Sequence, residues 1–130
     1  MFSSVLAISL GAALGANARW LLGMALNPVF AGLPFGTLTA NWVGSYLIGV
    51  ALSGFNVLSI VSPELRLFVV TGFLGALTTF SSFSADIVAL IQEGRFGWAS
   101  AGILLHVAGS LIMTILGMLT VHLLRQMGAH

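Results

Sequence analysis

Polar side chains in this chain are gathered into short clusters. Between them run four stretches that are apolar on every face, about 3–26, 35–55, 65–91 and 97–124. Each is long enough to cross a hydrocarbon core, which takes roughly 20 residues of helix. Turn signals separate the stretches: NPVFAGLP (Asn27 to Pro34), NVLSIVSPE (Asn56 to Glu64) and QEGRFG (Gln92 to Gly97). Strands of an outer-membrane barrel would alternate apolar and polar residues; these stretches do not, so helices are predicted. The expectation is an all-α integral membrane protein with four transmembrane helices, a single membrane domain over residues 1–130 and no extramembrane domain. Composition agrees, with 58% of residues hydrophobic and 5% charged, far from the balance of soluble domains. The first stretch has no basic start and no convincing cleavage site, so it reads as a span and not as a signal peptide.

Composition also removes several kinds of chemistry. With no cysteine there is no disulfide framework, thiolate metal site or cysteine nucleophile. A net charge of +1 leaves no basic patch for a nucleic-acid partner. Glycines punctuate every span, among them the Gly11/Gly15 GxxxG pair, Gly44 and Gly49, Gly72 and Gly75, and Gly102, Gly109 and Gly117. They let helices approach closely, either within one subunit or at an oligomer interface. The basic residues are four arginines. Arg66 and Arg125 fall on the side of the N-terminus, and Arg95 and Arg19 on the other. Orientation by the positive-inside rule takes an imbalance, and two against two provides none. The chain is therefore expected to insert both ways and to pair as an antiparallel homodimer.

The third stretch holds a concentration of polarity. GALTTFSSFSAD, Gly75 to Asp86, carries five hydroxyls and two phenylalanines, and Thr78 is the midpoint of the span. Glycine and consecutive threonines are poor helix formers, and irregular backbone at mid-membrane survives only when buried in protein or facing water. A break near the bilayer midplane is the expectation; the alternative is an unbroken helix whose threonines bond back to carbonyls one turn earlier. Phe80 and Phe83 share a helical face, whether for packing, lipid contact or a solute. His106, Ser110 and Thr114 recur every four residues along the fourth span, as inter-helix glue or as a pathway lining. Asn41 is an uncharged amide in the second span. Arg19 and Asp86 are ionisable groups inside apolar stretches, functional if buried; Asp86, nearer a helix end, is expected to snorkel to the interface.

These side chains offer O–H and N–H donors and aromatic ring edges, whose quadrupole is positive at the rim. Such a set suits a compact anion. GANARW (Gly15 to Trp20), GTLTANWVGSYLIG (Gly36 to Gly49) and GFLGALTTFSSFSAD (Gly72 to Asp86) resemble the signature segments of the Fluc, or CrcB, family of fluoride ion channels, and the likeness runs over essentially the whole chain. The resemblance implies a dual-topology homodimer in the bacterial inner membrane, with two antiparallel pores that export fluoride passively from the cytoplasm. It implies an anion pathway made by the ring edges of Phe80 and Phe83, with Asn41, Ser81, Ser84, His106, Ser110 and Thr114. Arg19 would stand in the aqueous vestibule. Backbone carbonyls of Gly75 and Thr78, from both subunits, would hold a structural Na+ at the dimer centre. Family members often carry tyrosine where His106 stands, which leaves the role of His106 open.

Two readings of other classes compete. A small dual-topology, proton-coupled cation exporter would want a carboxylate deep in a span, and Asp86 is the one candidate. A structural membrane protein without transport would use the break and the polar stripe as packing devices. An enzyme is not expected, because no nucleophile, base and orienting group form a recognisable set.

Overall fold

The computed structural model describes residues 1–129. The chain forms α1 (Phe2–Leu26), a 3-10 turn (Asn27–Val29) and α2 (Phe35–Val57). A composite third span follows: α3 (Pro63–Arg66), a π-helical segment (Leu67–Leu74), α4 (Gly75–Leu77) and α5 (Phe80–Gln92); α6 (Phe96–Gly128) completes the chain. Four runs are long and apolar enough to cross a membrane: Phe2–Val29, Phe35–Val57, Pro63–Gln92 and Phe96–Gly128. At about 1.5 Å per residue the 33 residues of α6 exceed a hydrocarbon core of about 30 Å, so part of this helix must project beyond it.

Helix ends are fixed by identifiable chemistry. α2 begins after Pro34, whose side chain cannot cap, and the free N–H groups of Gly36 and Thr37 instead donate to Asn27 Oδ1 at 2.7 and 3.2 Å. The start of the third span is capped by Ser62, whose Oγ accepts from Leu65 N–H at 3.1 Å, with Pro63 in the first turn. α5 closes in a Schellman arrangement: Arg95 N–H donates to Leu90 C=O at 2.8 Å and Gly94 N–H to Ile91 C=O at 3.0 Å. Gly94 has φ +75° there, a conformation that costs a side-chain-bearing residue about 1–2 kcal/mol.

Two helix pairs organise the interior. α1 lies against the π segment and α4, and α2 lies along α6. In both pairs glycines make the approach possible. A Cβ at Gly11 or Gly15 would collide with the carbonyls of Phe68 or Phe73, and one at Gly49 or Gly117 with the carbonyls of Thr114 or Tyr46. The close-packing role of these four glycines is thus met within one subunit. Gly75 differs: it is exposed, and a Cβ there would meet only Val70 C=O at ordinary contact distance. Buried apolar residues gather at two places, Leu33, Leu38, Phe83, Ile87, Leu90 and Ala99 around α5, and Ala40, Leu74 and Leu77 beside α4.

Candidate functional site

Between Leu77 and Phe80 the third span loses its helical backbone. Thr78 (φ −86°, ψ 154°) and Thr79 (φ −152°, ψ 121°) are extended. Thr78 does bond back, its N–H and Oγ1 both donating to Leu74 C=O at 3.0 and 2.9 Å, yet the helix does not continue through it. Extended residues strip helical partners from their neighbours, and in an apolar setting each stranded group is costly. Three side chains make up the loss. Thr79 Oγ1 caps the new helix by accepting from Ser82 N–H at 3.0 Å. Arg19 Nε donates to Ala76 C=O at 3.0 Å. Asn41 grips Thr79 from both sides, as a neighbouring β-strand would: Oδ1 accepts from Thr79 N–H at 2.7 Å and Nδ2 donates to Thr79 C=O at 3.1 Å.

Beside this clamp runs a groove of about 380 Å³ lined by Asn41, Ser45, Thr78 to Phe80, Phe83, His106, Val107, Ser110, Leu111 and Thr114. It therefore gathers residues from α2, from the break itself, from the start of α5 and from α6, and no carboxylate is among its lining. The stripe of α6 faces it because residues four apart share a face; Ser45 joins because it stands one turn beyond Asn41 on α2. Phe80 and Phe83 meet edge to face, with centroids 5.4 Å apart and planes at 71°. Their burial differs sharply: Phe83 is 8% exposed and Phe80 76%, so Phe80 projects away from its own subunit. The His106 ring lies 4.5 Å from that of Phe83 and is only 4% exposed. Its Nδ1 is 3.1 Å from Asn41 Nδ2.

The remaining sequence candidates are divided among other surfaces. Ser81 and Ser84 are exposed and lie outside the groove lining, Ser81 Oγ pairing with Thr79 Oγ1 at 3.2 Å. Arg19 borders a separate cavity of about 330 Å³ with Trp20, Gly23, Met24, Asn27, Thr37, Thr79 and Ser82. It is half-buried and turned to the break. Gly75 and Thr78 line a third cavity of about 240 Å³ with Gly44, Ser45, Ile48, Val70 and Leu74. The interfacial position expected for Asp86 is corrected. The residue is half-buried beside the Thr37 hydroxyl, and its Oδ2 is shielded without a hydrogen-bond partner among the described residues. Its place on the inner face of α5, next to buried Phe83 and Ile87, is the reason.

Sequence reasoning passed over Thr79, the residue whose backbone the clamp holds, and Ser45. A spacing of four from Asn41 could have revealed Ser45; nothing in sequence reveals which threonine is gripped.

The profile of the family described as CrcB-like protein, Camphor Resistance (CrcB) matches residues 6–118. The chain is similar to the fluoride-specific ion channel FluC of Chromohalobacter salexigens, 60% identical over 128 residues that cover 98% of this chain and 97% of that one. The FluC of Paraburkholderia xenovorans is 53% identical over 124 residues, covering 95% and 98% of the two chains. That of Tolumonas auensis is 56% identical over 126 residues, covering 97% and 99%. The matches span four apolar helices and come from bacterial proteins, and they identify the chain as a multi-pass bacterial inner-membrane protein that belongs to the CrcB family.

Proposed function

We propose that this protein is a fluoride-selective ion channel and that the groove at the break is half of its pathway. The observation that carries the proposal is the groove's chemistry: the rings of Phe80 and Phe83, hydroxyls at Ser110 and Thr114, and no carboxylate in the lining. Ring-edge C–H groups and hydroxyls are individually weak anion partners. Several weak partners in series suit conduction, which requires that an ion be bound well enough to enter and loosely enough to leave. The absence of acidic residues from the lining keeps the local potential from repelling an anion. Arg19 raises that potential from the neighbouring cavity while its Nε holds Ala76.

The working unit in this reading is an antiparallel homodimer with two pores. Support comes from the balanced arginine count and from an open face that includes Phe80 and Gly75. A partner would close the groove from the other side. Carbonyls suit Na+, a hard cation with a preference for oxygen. Thr79 N–H, the helical partner of Gly75 C=O in an unbroken span, is turned to Asn41 instead. Gly75 and Thr78 would thus hold a structural Na+ with their counterparts, and the ion would supply positive charge between two anion paths. Flow is passive and relieves the cytoplasm of fluoride. The competing proton-coupled exporter rests on Asp86, which lies outside the groove lining.

Efflux from liposomes, with fluoride or chloride as the permeant anion and a fluoride electrode as detector, tests the reading. Rapid fluoride release with negligible chloride release is expected. Folded, dimeric protein that releases no fluoride would remove it. Replacing all Na+ with an organic cation during purification should abolish release if the structural ion is required.

A further inference from the structure

Near the C-terminal ends of α2 and α6 lies a separate cavity of about 220 Å³, bordered by Ser53 and Asn56 from α2 and by His122 and Arg125 from α6, with Met118 and Val121 in its apolar lining. Its polar side chains are unspent. Hydroxyls in apolar helices commonly bond back to a carbonyl one turn earlier, as those of Ser9, Thr78, Thr114 and Thr120 do here at 2.7 to 3.1 Å. Half-buried Ser53 has no such bond among the described residues. The other three arginines each hold a backbone carbonyl, Arg19 that of Ala76, Arg66 that of Phe55 and Arg95 that of Ala31. Arg125 has neither a hydrogen-bond nor an ion-pair partner among the described residues, and the Asn56 amide has no partner there either.

We infer that this cavity is a phosphate-binding site, and that the phosphate it receives is that of a membrane phospholipid. Arg125 supplies the charge, through a planar fork of N–H groups that matches phosphate oxygens, and Ser53 and Asn56 supply neutral donors. No carboxylate lines the cavity, and Glu64 is turned to Ser3 Oγ at 3.5 Å. The carbonyl end of α2 disfavours an anion. Arg66 opposes that effect, with its Nη2 donating to Phe55 C=O at 3.3 Å and its guanidinium 5.2 Å from the centre of the Phe55 ring. Depth selects the lipid as the source. Asn56 lies in the last turn of α2 and Arg125 in the last turn of α6, a helix longer than the hydrocarbon core is thick. Headgroup phosphates are concentrated at that level, and basic pockets between helices there take lipid headgroups. Met118 and Val121 suit the glycerol and first methylenes of a lipid, whereas a free phosphate ion, hydrated on every side, gains nothing from them. The cavity shares no lining residue with the groove at the break, so the inference stands or falls apart from the channel reading.

Native mass spectrometry of the purified, folded protein tests it, with phosphatidylglycerol, diacylglycerol of the same chains and inorganic phosphate as probes. Phosphatidylglycerol should be retained at concentrations where diacylglycerol is not, and it should slow hydrogen exchange over residues 121–126 without doing so in α1. Arg125→Gln and Asn56→Leu should each weaken retention, Arg125→Gln by at least about tenfold, the scale of one hydrogen bond to a charged group. Arg95→Gln is the control, since that guanidinium is committed to Ala31 C=O at 3.0 Å and to Glu93 at 3.5 Å; it should leave retention unchanged. Equal retention by the Arg125→Gln and unsubstituted proteins, or equal retention of diacylglycerol, overturns the site. Inorganic phosphate that displaces the lipid and protects residues 121–126, with the same dependence on Arg125, keeps the site and overturns the lipid as its source.

Discussion

Replacing Asn41 with alanine removes three hydrogen bonds at once. It strands Thr79 N–H, Thr79 C=O and His106 Nδ1, which the amide engages at 2.7, 3.1 and 3.1 Å. Hydrogen bonds between membrane helices average about 0.6 kcal/mol and reach about 1.7, because the unfolded chain in lipid also finds partners. Three of them place the loss at about 2–5 kcal/mol, a large share of the stability of a small protein. The loss should also be local, since Thr79 N–H has no helical partner and is held by Asn41 Oδ1 instead. Two measurements check this. Reversible unfolding of the protein in mixed micelles by SDS titration, followed by tryptophan fluorescence, reads the total. Hydrogen exchange reads the Thr79 amide, whose protection should fall by more than that of amides in α1. Ser45→Ala is the control, one turn further along the same helix and lining the same groove; it should shift unfolding by less than about 0.5 kcal/mol. If Asn41→Ala unfolds within that margin of the unsubstituted protein and Thr79 keeps its protection, the clamp is not what holds the break, and the reasoning fails.

Three further expectations concern separate parts of the molecule. Phe80→Ile and Phe83→Ile should each sharply reduce fluoride efflux while chromatography still shows a dimer, because isoleucine keeps the bulk and loses the positive ring edge; unchanged flux would refute the aromatic role. Gly49→Ala and Gly117→Ala drive a methyl into the carbonyls of Thr114 and Tyr46 and should cost about 1–3 kcal/mol each by SDS titration. Gly54→Ala, with open space around the added carbon, should be neutral or slightly stabilising. Gly94→Ala forces a side chain into positive φ and should destabilise by about 1–2 kcal/mol without altering the ratio of fluoride to chloride flux.

Sequence alone determined the class of this protein. Four predominantly apolar stretches of helix-spanning length admit one solution in lipid, because every backbone group must find its partner inside its own segment. The described helices, Phe2–Leu26, Phe35–Val57 and Phe96–Gly128 among them, begin and end within a few residues of where turn signals place them. The stripe of His106, Ser110 and Thr114 was legible too, since a spacing of four is a local property of a helix. What a residue's polar atoms bond to was not legible, because partners lie 38 and 65 positions apart in the chain, as Asn41 does from Thr79 and His106. Sequence offered Asn41 as an amide near the pathway, and only the tertiary structure showed that it lines the groove while bonding to the Thr79 backbone and to His106. Sequence sent Asp86 toward an interface, and the packing of α5 turned it inward. Local spacing is written in the order of residues, whereas hydrogen-bond satisfaction is a property of the closed structure, decided only when α2, α5 and α6 meet.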